Sequence, residues 1–456
     1  MKTIISKYKE KLEKIETIQL KGRVKQIIGL VIESSGPPCS LGEVCQIRFP
    51  SGLSPHPIHF PRGEGGRFIK AEVVGFREDK ILLMPLGEME GIAPNCEVIS
   101  TDSPLVIPVG EGLRGRILDG LARPIDGKGP LLCSQEYPVF NLAPDPIRRP
   151  RIKDILPLGV RAIDAVLTVG KGQRFGIFSG SGVGKSTLMG MIARNTKAAI
   201  NVIGLIGERG REVKDFIERD LGEEGLQRSV VIVATSDQSP LLRLKGAFAA
   251  TAIAEFFRDQ GHDVMLMIDS ITRFARAQRE VGLSIGEPPT TRGYPPSVFT
   301  IMPKLLERAG TSSTGTITGL YTILVDADDM NEPVADNVRA ILDGHVVLSR
   351  DLAHRNYYPA IDVLSSVSRV MIDIVDANHD QASRRLKEVV AIIKEAQDLI
   401  NIGAYVKGSN PRIDHAISRI EGVEEFLKQG IYEKTDYQTT IKNLLSMFGD
   451  EEGTQG

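Results

Sequence analysis

The sequence predicts an α/β chain in three parts: a small N-terminal β-barrel, a core with a parallel sheet built around a P-loop, and a C-terminal helical domain. Three observations carry this reading. A glycine loop, SGSGVGKST at 179–187, stands between the apolar run Phe175-Gly176-Ile177-Phe178 and the helical stretch that opens with Leu188-Met189-Gly190. Beyond it β and α patterns alternate, which implies a parallel sheet with helices on both faces. Short β-rich runs with Gly/Pro turns precede the loop, and helical periodicity dominates after about residue 370.

In chain order, residues 1–20 place Ile4, Ile5, Tyr8, Leu12, Ile15 and Ile18 at steps of three and four among Lys and Glu, an amphipathic helix pattern. Such a helix either folds back on its own domain or is exposed for docking, since it is marginal alone. Residues 21–98 hold the runs Val24–Ile32, Val44–Phe49, Phe68–Phe76 and Lys80–Met84, separated by turns such as Ser35-Gly36-Pro37-Pro38. Regular short strands of this kind suggest a barrel. The core is expected over 99–370, entered through the glycine-punctuated connector VGEGLRGRILDGLARPIDGKGPL from Val109. Its elements read as strand Ile200–Ile206, helix Arg211–Leu221, strand Ser229–Ala234, helix Leu241–Asp259 and strand Asp263–Ile268. Helices Ser383–Ile402 and Asp414–Gln429 fill a domain over 371–449, and 450–456 reads as a disordered tail.

Composition narrows the function. The chain has 456 residues, enough for about three domains. With 41% hydrophobic and 25% charged residues it reads as an ordinary soluble protein. Lys and Arg number 56 against 58 Asp and Glu, a formal net charge of −2, so no basic field argues for nucleic acid. The apolar runs are strand-sized, too short to span a bilayer, and Met1-Lys2-Thr3 is not followed by a secretory h-region. Cys39, Cys45, Cys96 and Cys133 show no C-x-x-C spacing and the seven histidines no ligand cluster. Free thiols and no zinc are therefore expected.

The chemistry gathers where ligands bind such sheets, beyond the carboxyl ends of the strands. Ser179, Gly180, Ser181, Gly182, Val183, Gly184, Lys185, Ser186 and Thr187 form the candidate phosphate loop. Its glycines let successive N–H groups turn inward, Lys185 adds a point charge, and the Ser186 hydroxyl is a candidate Mg²⁺ ligand at a helix N-terminus. The strict G-x-x-x-x-G-K-[ST] motif has Gly where this chain has Ser179. Strand Asp263–Ile268 delivers Asp269 in the manner of a Walker B carboxylate, with a helix cap as the alternative. Strand Ile200–Ile206 ends in Gly207-Glu208-Arg209-Gly210-Arg211-Glu212. There Glu208 is the natural residue to polarise an attacking water and Arg209 to meet phosphate oxygens; the alternative is a salt-bridged surface turn.

Several long blocks make a resemblance specific: GVRAIDAVLTVGKGQRFGIF, GLIGERGREVKDFIERDLG, LMIDSITRFARAQRE, DDMNEPVADNVRAILDGHVVLSRDLA, and P-A-I-D-x-x-x-S-x-S at Pro359–Ser368. From about residue 21 to 435 the chain resembles the flagellar and type III protein-export ATPases, relatives of the rotary ATP synthase α and β subunits. The resemblance implies a RecA-like P-loop core and Mg²⁺-dependent hydrolysis of ATP. Glu208 matches the catalytic glutamate, a position where non-catalytic synthase subunits carry Gln. Lys185 resembles the phosphate-binding lysine and Ser186 the magnesium ligand, while Glu212 and Asp269 match carboxylates near the metal. Tyr358 matches one wall of the adenine pocket. The opposite wall falls near Gln429–Tyr432, with its aromatic displaced by one position. Arg369 resembles an arginine finger reaching into a neighbouring subunit, the alternative being an intramolecular ion pair.

Two departures separate relatives. The stretch 403–412, Gly-Ala-Tyr-Val-Lys-Gly-Ser-Asn-Pro-Arg, is neutral to basic where synthase catalytic subunits are strongly acidic. Ser179 also fits the export branch, and costs little if its φ stays negative. The implied partners are further copies of the chain in a homohexameric ring, a negative regulator on the N-terminal helix, and a central stalk protein, export chaperones, substrates and export gate at the C-terminal side. The implied location is the cytoplasm, peripheral to the membrane. A virulence-type injectisome ATPase is the nearest alternative; a synthase subunit, an RNA translocase or a non-hydrolysing nucleotide-binding subunit are further ones.

Overall fold

The computed structural model describes residues 20–49, 68–325 and 329–448. The expectations for residues 1–19 and for the tail lie outside these. The chain divides into two compact units, one reaching to Leu105 and including Glu280–Pro288, the other formed by the rest from Val106 onward.

The first unit is a closed antiparallel barrel of β1 (Lys21–Ile28), β2 (Val31–Ser35), β3 (Glu43–Arg48), β4 (Phe68–Arg77), β5 (Lys80–Pro85) and β6 (Glu97–Pro104), in the order β1-β2-β5-β4-β3-β6. Val24, Ile32, Cys45, Ile47, Val73, Leu83 and Val98 fill its interior, and closure leaves no strand edge unpaired. The run Val24–Ile32, read as one strand, is a hairpin: the chain reverses at Gly29, whose φ of 58° suits a residue without a Cβ. The boundary expected at residue 98 falls inside β6, which continues to Pro104 and pairs with β3.

The second unit carries the sheet β7 (Ile117–Asp119), β8 (Arg174–Ser179), β9 (Ile200–Ile206), β10 (Ser229–Ala234), β11 (Asp263–Asp269), β12 (Thr316–Leu324), β13 (Gly344–Leu348) and β14 (Ile361–Ser368), in the order β14-β13-β8-β12-β11-β9-β10-β7. Neighbours pair in parallel, except that β14 runs antiparallel along the β13 edge. Ser179 aligns with Leu324 and Leu348, and Leu205 with Asp269. The ends of β8, β9 and β11 therefore share one rim.

The helices used below are α1 (Arg161–Val166), α2 (Lys185–Asn195), α3 (Pro240–Asp259), α4 (Ile271–Ile285), α5 (Ala377–Asn401), α6 (Pro411–Leu427) and α7 (Tyr437–Phe448). Ser239 caps α3 with Pro240 at its first position, and Asn410 and Pro411 open α6 in the same way. The Asp376 carboxylate accepts the His379 N–H at 2.8 Å, which starts α5 at Ala377, ahead of the expected Ser383. The helix expected over Arg211–Leu221 is instead a short α-helix, Gly210–Asp215, followed by a π-helical turn, Phe216–Leu221. That turn packs on α2 at Gly190, where a Cβ would come within 2.7 Å of the Asp220 carbonyl oxygen, and the same oxygen accepts a hydrogen bond from Arg194. The C-terminal helices share one apolar core with the sheet through Leu386, Val423, Phe426 and Leu444. No helix among the described residues is long and apolar enough to cross a membrane.

One ion pair is wholly enclosed. Arg308 donates to both Glu255 oxygens at 2.8 and 2.6 Å and to the Val139 carbonyl at 2.8 Å, with both side chains about 1% exposed. Removing one partner strands a buried charge. Glu255→Ala is expected to destabilise the protein by about 3–5 kcal/mol in denaturant unfolding, and Glu255→Ala with Arg308→Met to recover much of it.

Candidate active site

The loop after β8 is shaped by two left-handed glycines, Gly182 at φ 77° and Gly184 at φ 100°, the second being the N-cap of α2. Val183 is buried and anchors the loop, while Ser181, Gly182 and Ser186 face solvent and Thr187 is half-buried. Ser181 also offers its carbonyl to Arg350 at 3.4 Å. Gly180 is buried at the start of the loop. Ser179 is 2% exposed and does not enter the left-handed region, so the missing glycine introduces no backbone strain. Its hydroxyl has no hydrogen-bond partner among the described residues.

Beside the loop, four charges meet at the strand ends. Lys185 Nζ lies 2.5 Å from Asp269 Oδ1 and 3.4 Å from Glu208 Oε1. Thr322, on β12, donates its hydroxyl to Asp269 Oδ1 at 2.6 Å. Arg273, in the first turn of α4, grips Glu208 with two bonds, Nε to Oε1 at 3.1 Å and Nη2 to Oε2 at 3.0 Å. Burial would depress the Lys185 pKa, but Asp269 and Glu208 outweigh it and the ammonium is held charged. Glu208 is pushed up to about 7, first by burial and then by the charge of Asp269, with Lys185 and Arg273 pulling the other way. Glu212 is held low, chiefly by a hydrogen bond with Glu208 and against its own burial. These groups offer hard oxygen donors, the set that fits Mg²⁺.

Sequence-predicted residues divide into those gathered here and those set elsewhere. Lys185, Glu208, Asp269 and Glu212 come together. Arg209 does not: its side chain is 76% exposed and pairs with Glu212 at 3.4 Å. Arg273 takes the place beside Glu208, and the signal for it was a basic residue one helical turn past Asp269. Thr322 left no signal beyond a hydroxyl in an apolar strand.

Arg369 stands far from this cluster. It follows Ser368, which pairs with Gly344 at the entry end of β13, whereas Ser179 aligns with Leu348 at the exit end. Four residues of extended strand separate the two levels, about 13 Å. Its side chain is exposed and forms no ion pair among the described residues.

Tyr358 lies against the loop, its ring carbons 3.7 and 3.8 Å from where a Cβ on Gly184 would sit. Its carbonyl accepts the Gln429 N–H at 3.0 Å. The buried Gln429 side chain then donates to the Gly159 carbonyl at 3.0 Å and accepts the Arg161 N–H at 2.8 Å. That turn is pinned by Asp164 of α1, whose carboxylate accepts the Leu158 and Gly159 N–H groups at 2.9 and 2.8 Å. Gln429 thus ties the C-terminal helices to the wall carrying Tyr358. Tyr432 stacks on the Arg194 guanidinium at 5.2 Å.

Comparison with known proteins agrees with this layout. Residues 159–368 match the ATP synthase alpha/beta family, nucleotide-binding domain; 24–102 match the beta-barrel domain of that family, and 375–446 the T3SS EscN ATPase C-terminal domain. The chain is 53% identical over 443 residues to the flagellum-specific ATP synthase of Bacillus subtilis (strain 168), covering 97% of this chain and 98% of the relative. It is 50% identical to the type 3 secretion system ATPase of Xanthomonas euvesicatoria, covering 94% of each. Among solved structures, the assembled ATPase EscN of the enteropathogenic E. coli type III secretion system superposes with a TM-score of 0.86 at 42% identity, covering 93% of this chain and 99% of that one. EscN in complex with its central stalk EscO gives 0.84, also at 42% identity, over 93% of this chain and 99% of that one.

The hydrogen bonds of Gln429 generate a prediction. Gln429→Ala keeps the main-chain bond to Tyr358 but leaves the Gly159 carbonyl and Arg161 N–H without their partner. The turn that positions Tyr358 then shifts, and the KM for ATP should rise about tenfold, near 1.4 kcal/mol, with kcat within about threefold. Steady-state kinetics checks this; a fall in kcat at unchanged KM contradicts it.

Proposed function

This chain belongs to the flagellum-specific and type III secretion ATPases, and we propose that it hydrolyses ATP at sites shared between neighbouring subunits of a homohexameric ring to energise protein export. The observation that carries the shared site is the split of cations: Lys185 and Arg273 sit beside Glu208, while Arg369 lies exposed at a level about 13 Å from Ser179 along the strands. The EscN relative is described as assembled, which supports a ring for this chain.

In the proposed mechanism ATP places its phosphates on the 179–187 loop, with α2 aiming its N-terminus at them, and its base against Tyr358. The triphosphate draws Lys185 from Asp269 and competes for Arg273, releasing the Glu208 carboxylate. Glu208 then orients water and takes its proton; a carboxylate with a pKa near 7 is suited to this at neutral pH. Ser186 and Asp269, with Glu212 through water, would hold Mg²⁺, which when bound offsets charge on the phosphates. Arg209 is free to swing from Glu212 toward phosphate oxygens. Arg369 of the next subunit neutralises charge developing on the transferred phosphoryl, worth about 10³–10⁵ in rate, or about 4–7 kcal/mol.

Turnover reaches export through the C-terminal helices, tied by Gln429 to the adenine wall. A central stalk protein, as in the EscN–EscO complex, chaperones and substrates would engage that side. The segment 1–20, through Ile4, Ile5, Tyr8, Leu12 and Ile15, would dock a negative regulator. The enzyme would work in the cytoplasm, peripheral to the membrane. The same catalytic groups serve an injectisome, a reading supported by the 50% identity to the Xanthomonas enzyme.

Three outcomes test this reading. Glu208→Gln should abolish turnover while retaining ATP binding, and Arg369→Ala should lower turnover by about 10³ or more. Mixing the two inactive variants one to one should restore about a quarter of wild-type activity, since that fraction of random interfaces in a head-to-tail ring joins an intact Glu208 to an intact Arg369; no recovery in co-assembled rings would sink the shared site. The acid limb of kcat/KM should lie near pH 7, activity falling as Glu208 protonates. Arg273→Ala should move that limb to higher pH, because Arg273 favours the ionised form; a limb that stays in place excludes Glu208 as the base.

A further inference from the structure

The barrel brings together a donor set that linear spacing hides. Cys39 and Cys45 have five residues between them, three more than a zinc-type C-x-x-C arrangement, yet their sulfurs lie 3.9 Å apart. The Glu43 carboxylate joins them, and one ligand atom from each of the three lies within 4.8 Å of the others. The turn between β2 and β3 makes this possible. Gly36 and Gly42, at φ 67° and 83°, fold the segment back so that Cys39, in the loop, faces Cys45, inside β3.

We propose that Cys39, Glu43 and Cys45 form a binding site for a soft divalent cation of the Zn²⁺ type. Geometry favours a metal over a disulfide. Two thiolates on a tetrahedral Zn²⁺ at about 2.3 Å stand about 3.8 Å apart, close to the observed separation, whereas a disulfide requires about 2.05 Å. The carboxylate is already aimed as metal ligands usually are, by outer partners. Glu43 Oε2 accepts the Ser40 N–H at 2.9 Å and Oε1 accepts the Ser100 hydroxyl. Each oxygen keeps a further lone pair for a cation.

Charge points the same way. Ser100 also lies 3.0 Å from Asp102 Oδ1, setting a second carboxylate at the rim. Two carboxylates beside the sulfurs favour a cation there, since the thiols can ionise in their company only if a cation offsets the charge. Without metal, the Cys39 S–H donates to the Pro37 carbonyl at 3.0 Å and the Cys45 S–H to the Cys39 sulfur. Binding exchanges these two protons, released to solvent, for two sulfur–metal bonds. Three protein ligands leave a fourth position for water. None of these residues takes part in the proposed hydrolysis.

The test uses the full chain, reduced and equilibrated with one equivalent of Zn²⁺ or Co²⁺. One metal per chain is expected by elemental analysis, with a thiolate-to-cobalt charge-transfer band and tetrahedral d–d intensity. Cys39→Ser and Glu43→Gln should each weaken binding at least about tenfold with ATP turnover unchanged, and Cys133→Ser should bind as wild type. Glu43→Gln keeps the test decisive if the cysteine variant folds poorly. The proposal is overturned if reduced protein takes up no stoichiometric metal, if Cys39→Ser binds as well as wild type, or if a Cys39–Cys45 disulfide forms readily while metal binding is absent.

Discussion

Lys185 is the cation around which the central unit is arranged. It is nearly enclosed, and an ammonium so placed needs carboxylates beside it to stay charged. Asp269 and Glu208 supply them from the ends of β11 and β9, and each has its own outer partner, Thr322 for one and Arg273 for the other. Four chain segments far apart in sequence are held to one rim by this requirement. The parallel sheet makes the rim possible, because all its parallel strands point their carboxyl ends the same way.

The same network sets the chemistry. A lone buried lysine would repel no phosphate but would also activate no water. Burial and the charge of Asp269 lift Glu208 to about 7 against the pull of Lys185 and Arg273, the range a general base at neutral pH would need. The network is balanced without a ligand, two cations against two buried carboxylates, so the tetra-anionic end of a nucleotide must redistribute it. Arg369 stands outside that balance, at the opposite level of the sheet. In the proposed mechanism the cation that serves turnover is thus separated from the cations beside the phosphate loop.

Much of this was legible in the residues. The glycine loop, the acid that ends β11 and the acid just past β9 each declare themselves, because backbone curl and an apolar strand ending in a carboxylate are local patterns. Strand limits such as Ser229–Ala234 were readable for the same reason: apolar, β-branched runs bounded by polar residues. Hairpin β1–β2 was not, since Gly29 interrupts a run whose two halves are equally β-rich. Nor was the π-helical turn Phe216–Leu221, which answers to the close approach of Gly190 on another helix. Arg209 and Arg273 are equally plausible partners for Glu208 by residue type, and only packing chose between them.

The sequence alone determined the order of barrel, sheet and helices, the phosphate loop with its tolerated Ser179, and the acids Glu208, Asp269 and Glu212. The order of elements, the loop, Glu208 and Asp269 depend on contacts within a few residues or on period, which a chain carries in one dimension, while Ser179's tolerance and Glu212 came from the resemblance to known ATPases. Tertiary structure decided that Arg273 rather than Arg209 grips Glu208, that Gln429 joins the helical end to Tyr358, that Arg369 lies at the opposite level of the sheet from its own loop, and that Cys39, Glu43 and Cys45 share one place. Each depends on where distant segments cross, and a distance between segments is written only in the fold.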